Sequence, residues 1–227
     1  HLASALPEAR VIGLAESASG GVCAQAAGVV QPFARRCDAL LLGPGMLDDP
    51  ELPRFVRDLL AEPPPALVLD AAALDCAHEV ATNDALKGRL VLTPHAGEMA
   101  RLLDADRADI VMDPLRAARQ AAARLQAVVV MKGAHTQVVS PDGLAWRFDG
   151  GSVGLATSGS GDVLAGILAG LLARGACPLQ ASLWAVYVHG EAGASLARAI
   201  GPLGFLAREL LPEVPRILAR FSPAATA

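Results

Sequence analysis

The chain is 227 residues long, with 19 basic and 23 acidic side chains, a formal net charge of −4 and a hydrophobic fraction of 53%. Such a length fits one domain, taken here as residues 1–227, that buries roughly 70% of its unfolded surface without staples. The composition excludes a disordered chain, and the lack of any basic run excludes an electrostatic grip on nucleic acid, so a bound phosphate must be held by backbone N–H groups and a few side chains.

In chain order, short apolar runs bounded by Gly, Pro and Asp occupy residues 9–14, 38–42, 66–69, 89–92 and 127–131. None alternates cleanly, as expected of strands buried on both faces of a parallel sheet. Helical periodicity falls between them, over 51–61, after Pro94 through Ala100 and Leu103, and over 114–126 with Asp113 as N-cap. Past Met131 the pattern changes. Residues 136–140 and 144–148 flank Pro141-Asp142-Gly143, a turn tripeptide that predicts a β-hairpin. Two helices follow, over 161–174 and 179–200, with Gly175 and Pro178 as stop and restart. Gly166 and Gly170, four apart, read as a close approach of that first helix to the sheet. The tail from Pro212, with three prolines, is expected to fray into Ala and Thr at its end.

The pattern predicts an α/β fold, a mainly parallel sheet with helices on both faces. The most apolar stretch, 163–172, is half the ~20 residues a membrane span needs, and no signal-peptide pattern opens the chain, so a soluble, cytoplasmic protein with no membrane partner is expected. Cys23, Cys37, Cys76 and Cys177 form no CxxC pair and read as free thiols packed as small hydrophobes.

Five polar or glycine-rich elements punctuate the strand ends. The most informative is the run Gly150-Gly151-Ser152-Val153-Gly154-Leu155-Ala156-Thr157-Ser158-Gly159-Ser160-Gly161-Asp162, a glycine-rich loop entering a long helix. A helix N-terminus offers unpaired N–H groups and a positive dipole end, which suit an anion. Asp162 beside a bound phosphate could take the proton of a hydroxyl attacking it; alternatively it caps its own helix. Thr93-Pro94-His95-Ala96-Gly97-Glu98 follows a strand, where open α/β folds place ligands. There His95 could donate to a substrate and Glu98 could hold Mg²⁺ through water, or Glu98 merely favours a helix start and His95 is a solvated loop residue. Lys132-Gly133-Ala134-His135-Thr136 could clasp a nucleotide, or Lys132 is a strand-end charge. Gly43-Pro44-Gly45 and Asp70 end two further strands.

In this order and spacing, "LLGPG", "VLDAAAL", "LVLTPHAGEMARLL", "VVVMKGAHTQVVSPDG" and "GLATSGSGDVLAGILAGLLARG" closely resemble the ADP/ATP-dependent NAD(P)H-hydrate dehydratases of the ribokinase-like superfamily, over residues 7–199. The resemblance implies a ribokinase-like three-layer fold and a repair lyase. Hydrated NADH or NADPH (the S epimer) has its ring hydroxyl phosphorylated by ADP or ATP with Mg²⁺, and loss of phosphate restores the reduced nicotinamide. It further implies Asp162 as the base, with Gly159, Ser160 and Gly161 as the anion hole for the transferred phosphoryl. Lys132, Gly133, Ala134, His135, Thr136 and Gly161 would contact the nucleotide, Gly45, His95 and Asp162 the hydrate, and Glu98 Mg²⁺ through water. A homo-oligomer, usually a tetramer, is implied too. The chain departs from the family pattern at Leu47, at Ala72 and around Ser152, and it starts downstream of the family's opening strand and Gly-Gly-Ser loop, missing either from this chain alone or from its gene, so the domain is expected to be N-terminally incomplete. The competing readings are a small-molecule kinase of the same superfamily, acting on a vitamin precursor or sugar-like substrate, and an inactive nucleotide-binding relative.

Overall fold

Four of the five apolar runs become strands: β1 (Leu40–Leu42), β2 (Leu67–Leu69), β3 (Leu90–Leu92) and β4 (Val128–Met131). The structure, a computed structural model, describes residues 2–221. The four strands pair in parallel and in chain order, with Leu42 opposite Leu69 and Leu69 opposite Leu92. The predicted hairpin adds β5 (Thr136–Val139) and β6 (Ala145–Phe148), both antiparallel, completing a six-stranded sheet in the order β1-β2-β3-β4-β5-β6.

Successive side chains of a strand point to opposite faces, and here the two faces differ in kind. Leu42, Leu67, Leu69, Leu90 and Leu92 line one core, whereas Val68, Val91, Val128, Val130 and Val138 line the other. Each parallel step moves to the next strand in the same direction, so right-handed crossovers place the connecting helices on one face. After α1 (Leu2–Ala5), the leucine face receives α2 (Ala27–Ala34), α3 (Leu52–Leu59), α4 (Ala77–Val80), α5 (Ala96–Leu103), α6 (Arg107–Met112) and α7 (Pro114–Leu125). Asp113 caps α7 as expected, accepting the Arg116 N–H at 3.0 Å. The valine face is covered by α8 (Ser160–Ala173), α9 (Pro178–Ala199) and α10 (Glu213–Ala219). The layers are therefore helix, sheet, helix.

Several expectations need correction. Residues 9–14 form no strand; their side chains are exposed or half-buried, and without a neighbouring strand to share a ladder an apolar run stays irregular. The following segment is instead tied down by Asp49, which is almost fully buried and accepts the hydroxyl protons of Ser17 (2.6 Å) and Ser19. Past Pro212 the chain forms α10, and the fraying into Ala and Thr expected at the end of the tail falls outside the described residues. Pro215 sits in the first turn of α10, where a missing N–H removes no helical bond. Gly166 and Gly170 do not serve close packing, since both are exposed and an added Cβ at either meets nothing within 4 Å. Leu164, Ala165 and Leu168 make the approach of α8 to the sheet instead. Of the free thiols only Cys76 is packed as a buried hydrophobe, and burial pushes its pKa up to about 11; Cys177 is exposed. Among the described residues no helix is long and apolar enough to cross a membrane.

Candidate active site

Asp70, Thr93 and Lys132 are each the residue that follows a strand (β2, β3 and β4), so the parallel register brings them side by side at one edge of the sheet. Asp70 is 1% exposed, and a buried carboxylate must be paired and hydrogen-bonded. It is: its Oδ1 accepts from Lys132 Nζ and from Thr93 Oγ1, both at 2.7 Å. The ammonium also lies 3.5 Å from Glu98 Oε2, so one lysine bridges β2 and α5.

Glu98 belongs to a capping box at the start of α5 in which histidine takes the place usual for Ser or Thr. His95 Nδ1 accepts the N–H of Gly97 (3.0 Å) and of Glu98 (3.2 Å), while Glu98 Oε2 accepts the N–H of His95 at 2.7 Å. Because Nδ1 accepts, the ring proton is on Nε2, 3.3 Å from Glu98 Oε1. Glu98 therefore does cap its helix, and His95 is fixed as the N-cap while its side chain remains exposed to solvent.

The glycine-rich loop leads into α8 through Gly159, the N-cap, at φ +83°, a left-handed turn suited to glycine. Ser160 donates its N–H to the Thr157 carbonyl at 3.3 Å. The N–H groups of Gly161 and Asp162 have no acceptor among the described residues. Asp162 is the third residue of the helix; it is exposed and makes no hydrogen bond among the described residues, and the N-cap is Gly159, so the capping alternative fails. A Cβ added at Gly161 would stand 3.4 Å from Lys132 Nζ, which places the ammonium beside the open helix end. Positive charge, two free N–H groups and the dipole of a 14-residue helix thus converge.

They meet at a cavity of about 710 Å³ whose lining includes His95, Lys132, Thr136, Ser160, Gly161 and His189. That volume is in the range of small-molecule sites. Gly133 and Ala134 line it as well. His135 does not, but its Nδ1 lies 2.6 Å from Asp149, a lining residue whose carboxyl the Arg147 guanidinium holds below its usual range. Gly159, Asp162 and Glu98 border the cavity's residues in sequence without lining it. Gly45 is outside it too, following β1 three strands from β4, roughly 14 Å along the sheet edge at about 4.8 Å per strand. In that turn the strictest demand falls on Gly43, at φ +122°, where a Cβ would be 1.7 Å from the Asp70 carbonyl oxygen.

Two further features carry little signal in the sequence. Thr93 stands out there only as part of its motif, although its hydroxyl completes the Asp70 pairing. His189, from α9, reaches Ser160 across 29 residues, a partnership without a local signal. As for Mg²⁺, no group of three potential ligands occurs among the described residues, and Glu98 already faces Lys132 and two groups of His95. These side chains do not make a cation site of their own.

A sequence profile described as NAD(P)H-hydrate dehydratase matches residues 2–216. The chain is 44% identical to an ADP-dependent (S)-NAD(P)H-hydrate dehydratase of Xanthomonas campestris, over 96% of this chain and 74% of that one. Of the bifunctional NAD(P)H-hydrate repair enzymes it also matches, it spans about two fifths, 41% for that of Moorella thermoacetica. Among solved structures it is similar to a ribokinase-like superfamily protein of Enterococcus faecalis (TM-score 0.80, 25% identity, 97% of this chain and 73% of that one). It is similar too to the ADP/ATP-dependent NAD(P)H-hydrate dehydratase of Bacillus subtilis co-crystallised with ATP/Mg²⁺ (TM-score 0.71, 30% identity, 82% and 65%).

Proposed function

The chain belongs to the NAD(P)H-hydrate dehydratase family, and on that premise we propose that it restores NADH and NADPH from their hydrates in a reaction driven by ADP or ATP. The observation that carries the reading is the convergence at the start of α8: two N–H groups without an acceptor and an Asp162 carboxylate without a partner among the described residues, with the Lys132 ammonium beside Gly161.

The chemistry follows from those groups. The ring hydroxyl of the hydrate attacks the terminal phosphoryl of ADP, Asp162 takes the hydroxyl proton, and AMP leaves. The Gly161 and Asp162 N–H groups and Lys132 stabilise the negative charge on the phosphoryl oxygens in transfer, which is most of what phosphoryl transfer asks of a protein. Breaking the carbon–oxygen bond then expels phosphate, and loss of a ring proton restores the reduced nicotinamide. With ATP the leaving nucleotide is ADP. The turn Lys132, Gly133, Ala134, His135, Thr136 contacts the nucleotide, with Gly161 at its phosphate end. His95 and Gly45 contact the hydrate, whose dinucleotide length is compatible with their separation along the sheet edge. No step is assigned to Mg²⁺.

The test is recovery of absorbance near 340 nm from NADH hydrate, with ADP and ATP compared. Recovery that needs a nucleotide supports the reading, and recovery with neither nucleotide, or none with either, contradicts it. Phosphorylation of a vitamin precursor or sugar alcohol without NADH recovery would support the kinase alternative. The reading takes the enzyme as a single catalytic domain acting in the cytoplasm as a homo-oligomer, a tetramer, which light scattering at micromolar concentration checks.

A further inference from the structure

Ser160 cannot serve an anion through its backbone, because its N–H already goes to Thr157. Its hydroxyl is another matter. Ser160 is 3% exposed and lines the cavity, and its Oγ lies 2.9 Å from Nε2 of His189. The same Nε2 lies 3.0 Å from the Ser160 carbonyl oxygen. A carbonyl only accepts, so Nε2 carries the ring proton and donates to it, with Oγ as the second acceptor of a shared N–H. The histidine then occupies a lone pair of the hydroxyl, and the hydroxyl proton has no acceptor among the described residues. The backbone of α9 is packed tightly just past the histidine. A Cβ at the next residue, Gly190, would stand 2.2 Å from the Phe148 ring, and one at Gly193 would stand 2.6 Å from the Leu155 side chain.

We infer that His189 is a positioning residue, holding the Ser160 hydroxyl so that it donates a third hydrogen bond to the phosphoryl group in transfer, beside the N–H groups of Gly161 and Asp162. This rests on the phosphoryl-transfer reading above. Burial pushes the His189 pKa down to about 4, which keeps the ring neutral at pH 7 and preserves a single donor on Nε2. A merely structural histidine would pin α8 to α9 through the Ser160 carbonyl and leave the hydroxyl without a part in the reaction.

The two roles separate in a double-mutant cycle on the whole chain. S160A is expected to lower kcat about 10²-fold, as loss of one such donor does. H189F, a ring without a donor, should lower it about 10-fold, with the KM for ADP within about two-fold in both variants, because the effect falls on the transition state. S160A/H189F should be no slower than S160A, and H189Q, which can return an N–H near the Nε2 position, should recover most of the loss. Losses in the double variant that multiply, or an H189Q as slow as H189F, would place the histidine's effect on the backbone and overturn the inference. A readout independent of turnover is the affinity for inorganic phosphate in the presence of AMP. H189F and S160A should each weaken it several-fold, and together no further; unchanged affinity in H189F contradicts the inference. If the wild-type chain recovers no NADH at all, the functional reading fails, while the phosphate cycle and the histidine tautomer by ¹⁵N NMR still decide this one. Nε2–H is the expected tautomer, and Nδ1–H would refute the assignment.

Discussion

At the ends of β2, β3 and β4, the side chains of Asp70, Thr93, Glu98 and Lys132 satisfy one another, whereas at the neighbouring start of α8 the N–H groups of Gly161 and Asp162 and the Asp162 carboxylate have no partner among the described residues. Depth separates the two. An unpaired charge below the surface costs several kcal/mol, so the deep cluster has to close on itself. At the start of α8, where Asp162 is exposed, water can occupy open groups until a ligand replaces it. The closed cluster acts as scaffold: it holds one ammonium, already oriented, beside a helix end whose own donors stay available. Chemistry belongs to the open end and stability to the closed one.

Asp162→Asn would break the open end most severely. It removes the basic oxygen and keeps the side chain's size, so kcat should fall by about 10²–10⁴-fold. AMP affinity should stay within about two-fold, and stability should move by only about 0.3–1 kcal/mol from the lost carboxylate–dipole attraction. Activity within a few-fold of wild type would leave the open carboxylate without a role.

Asp70→Asn strikes the closed end. It leaves Thr93 an acceptor but removes the shorter of two carboxylate contacts to Lys132. Urea unfolding should show a loss of about 3 kcal/mol, the low end for breaking a buried pair because Glu98 remains. A loss below about 1 kcal/mol would mean that the cluster is not scaffold.

A third probe sits between the two ends, at His189. Its pKa in the folded chain, about 4, is below the ordinary 6.5. The unfolded chain therefore binds the extra proton between those values, so this residue's contribution to stability is complete above pH 6.5 and is lost as pH falls toward 4. Melting temperatures across that window should fall more steeply for wild type than for H189F; equal slopes would contradict the buried, neutral ring.

The smallest effect is expected away from the site. Gly166→Ala and Gly170→Ala fill open space on an exposed helix face and should each stabilise by about 0.5–1 kcal/mol. A fall in melting temperature would show that this face is covered in solution.

Much of this was legible in the chain. Runs buried on both faces announce themselves, and β2, β3 and β4 fall within one residue of their apolar runs because nothing polar interrupts them. The glycine-rich entry to α8 and the residues after each strand could be read for the same reason, since position relative to a strand end is a local property. Residues 9–14 misled because apolar character marks a strand only when a neighbour supplies the ladder. Gly166 and Gly170 misled because spacing alone does not say which face of α8 they occupy. The contacts that orient the site were illegible, since Lys132–Asp70 and His189–Ser160 join residues 62 and 29 apart through the fold. The Asp70–Gly43 approach is set by the backbone of a neighbouring strand end.

The most direct test of the open helix end as a phosphoryl-transfer site is stoichiometry. NADH hydrate and ADP are incubated with the wild-type chain, and NADH regained is counted against AMP released. The account predicts one AMP for each NADH; NADH regained without AMP, or AMP released without NADH, would contradict it.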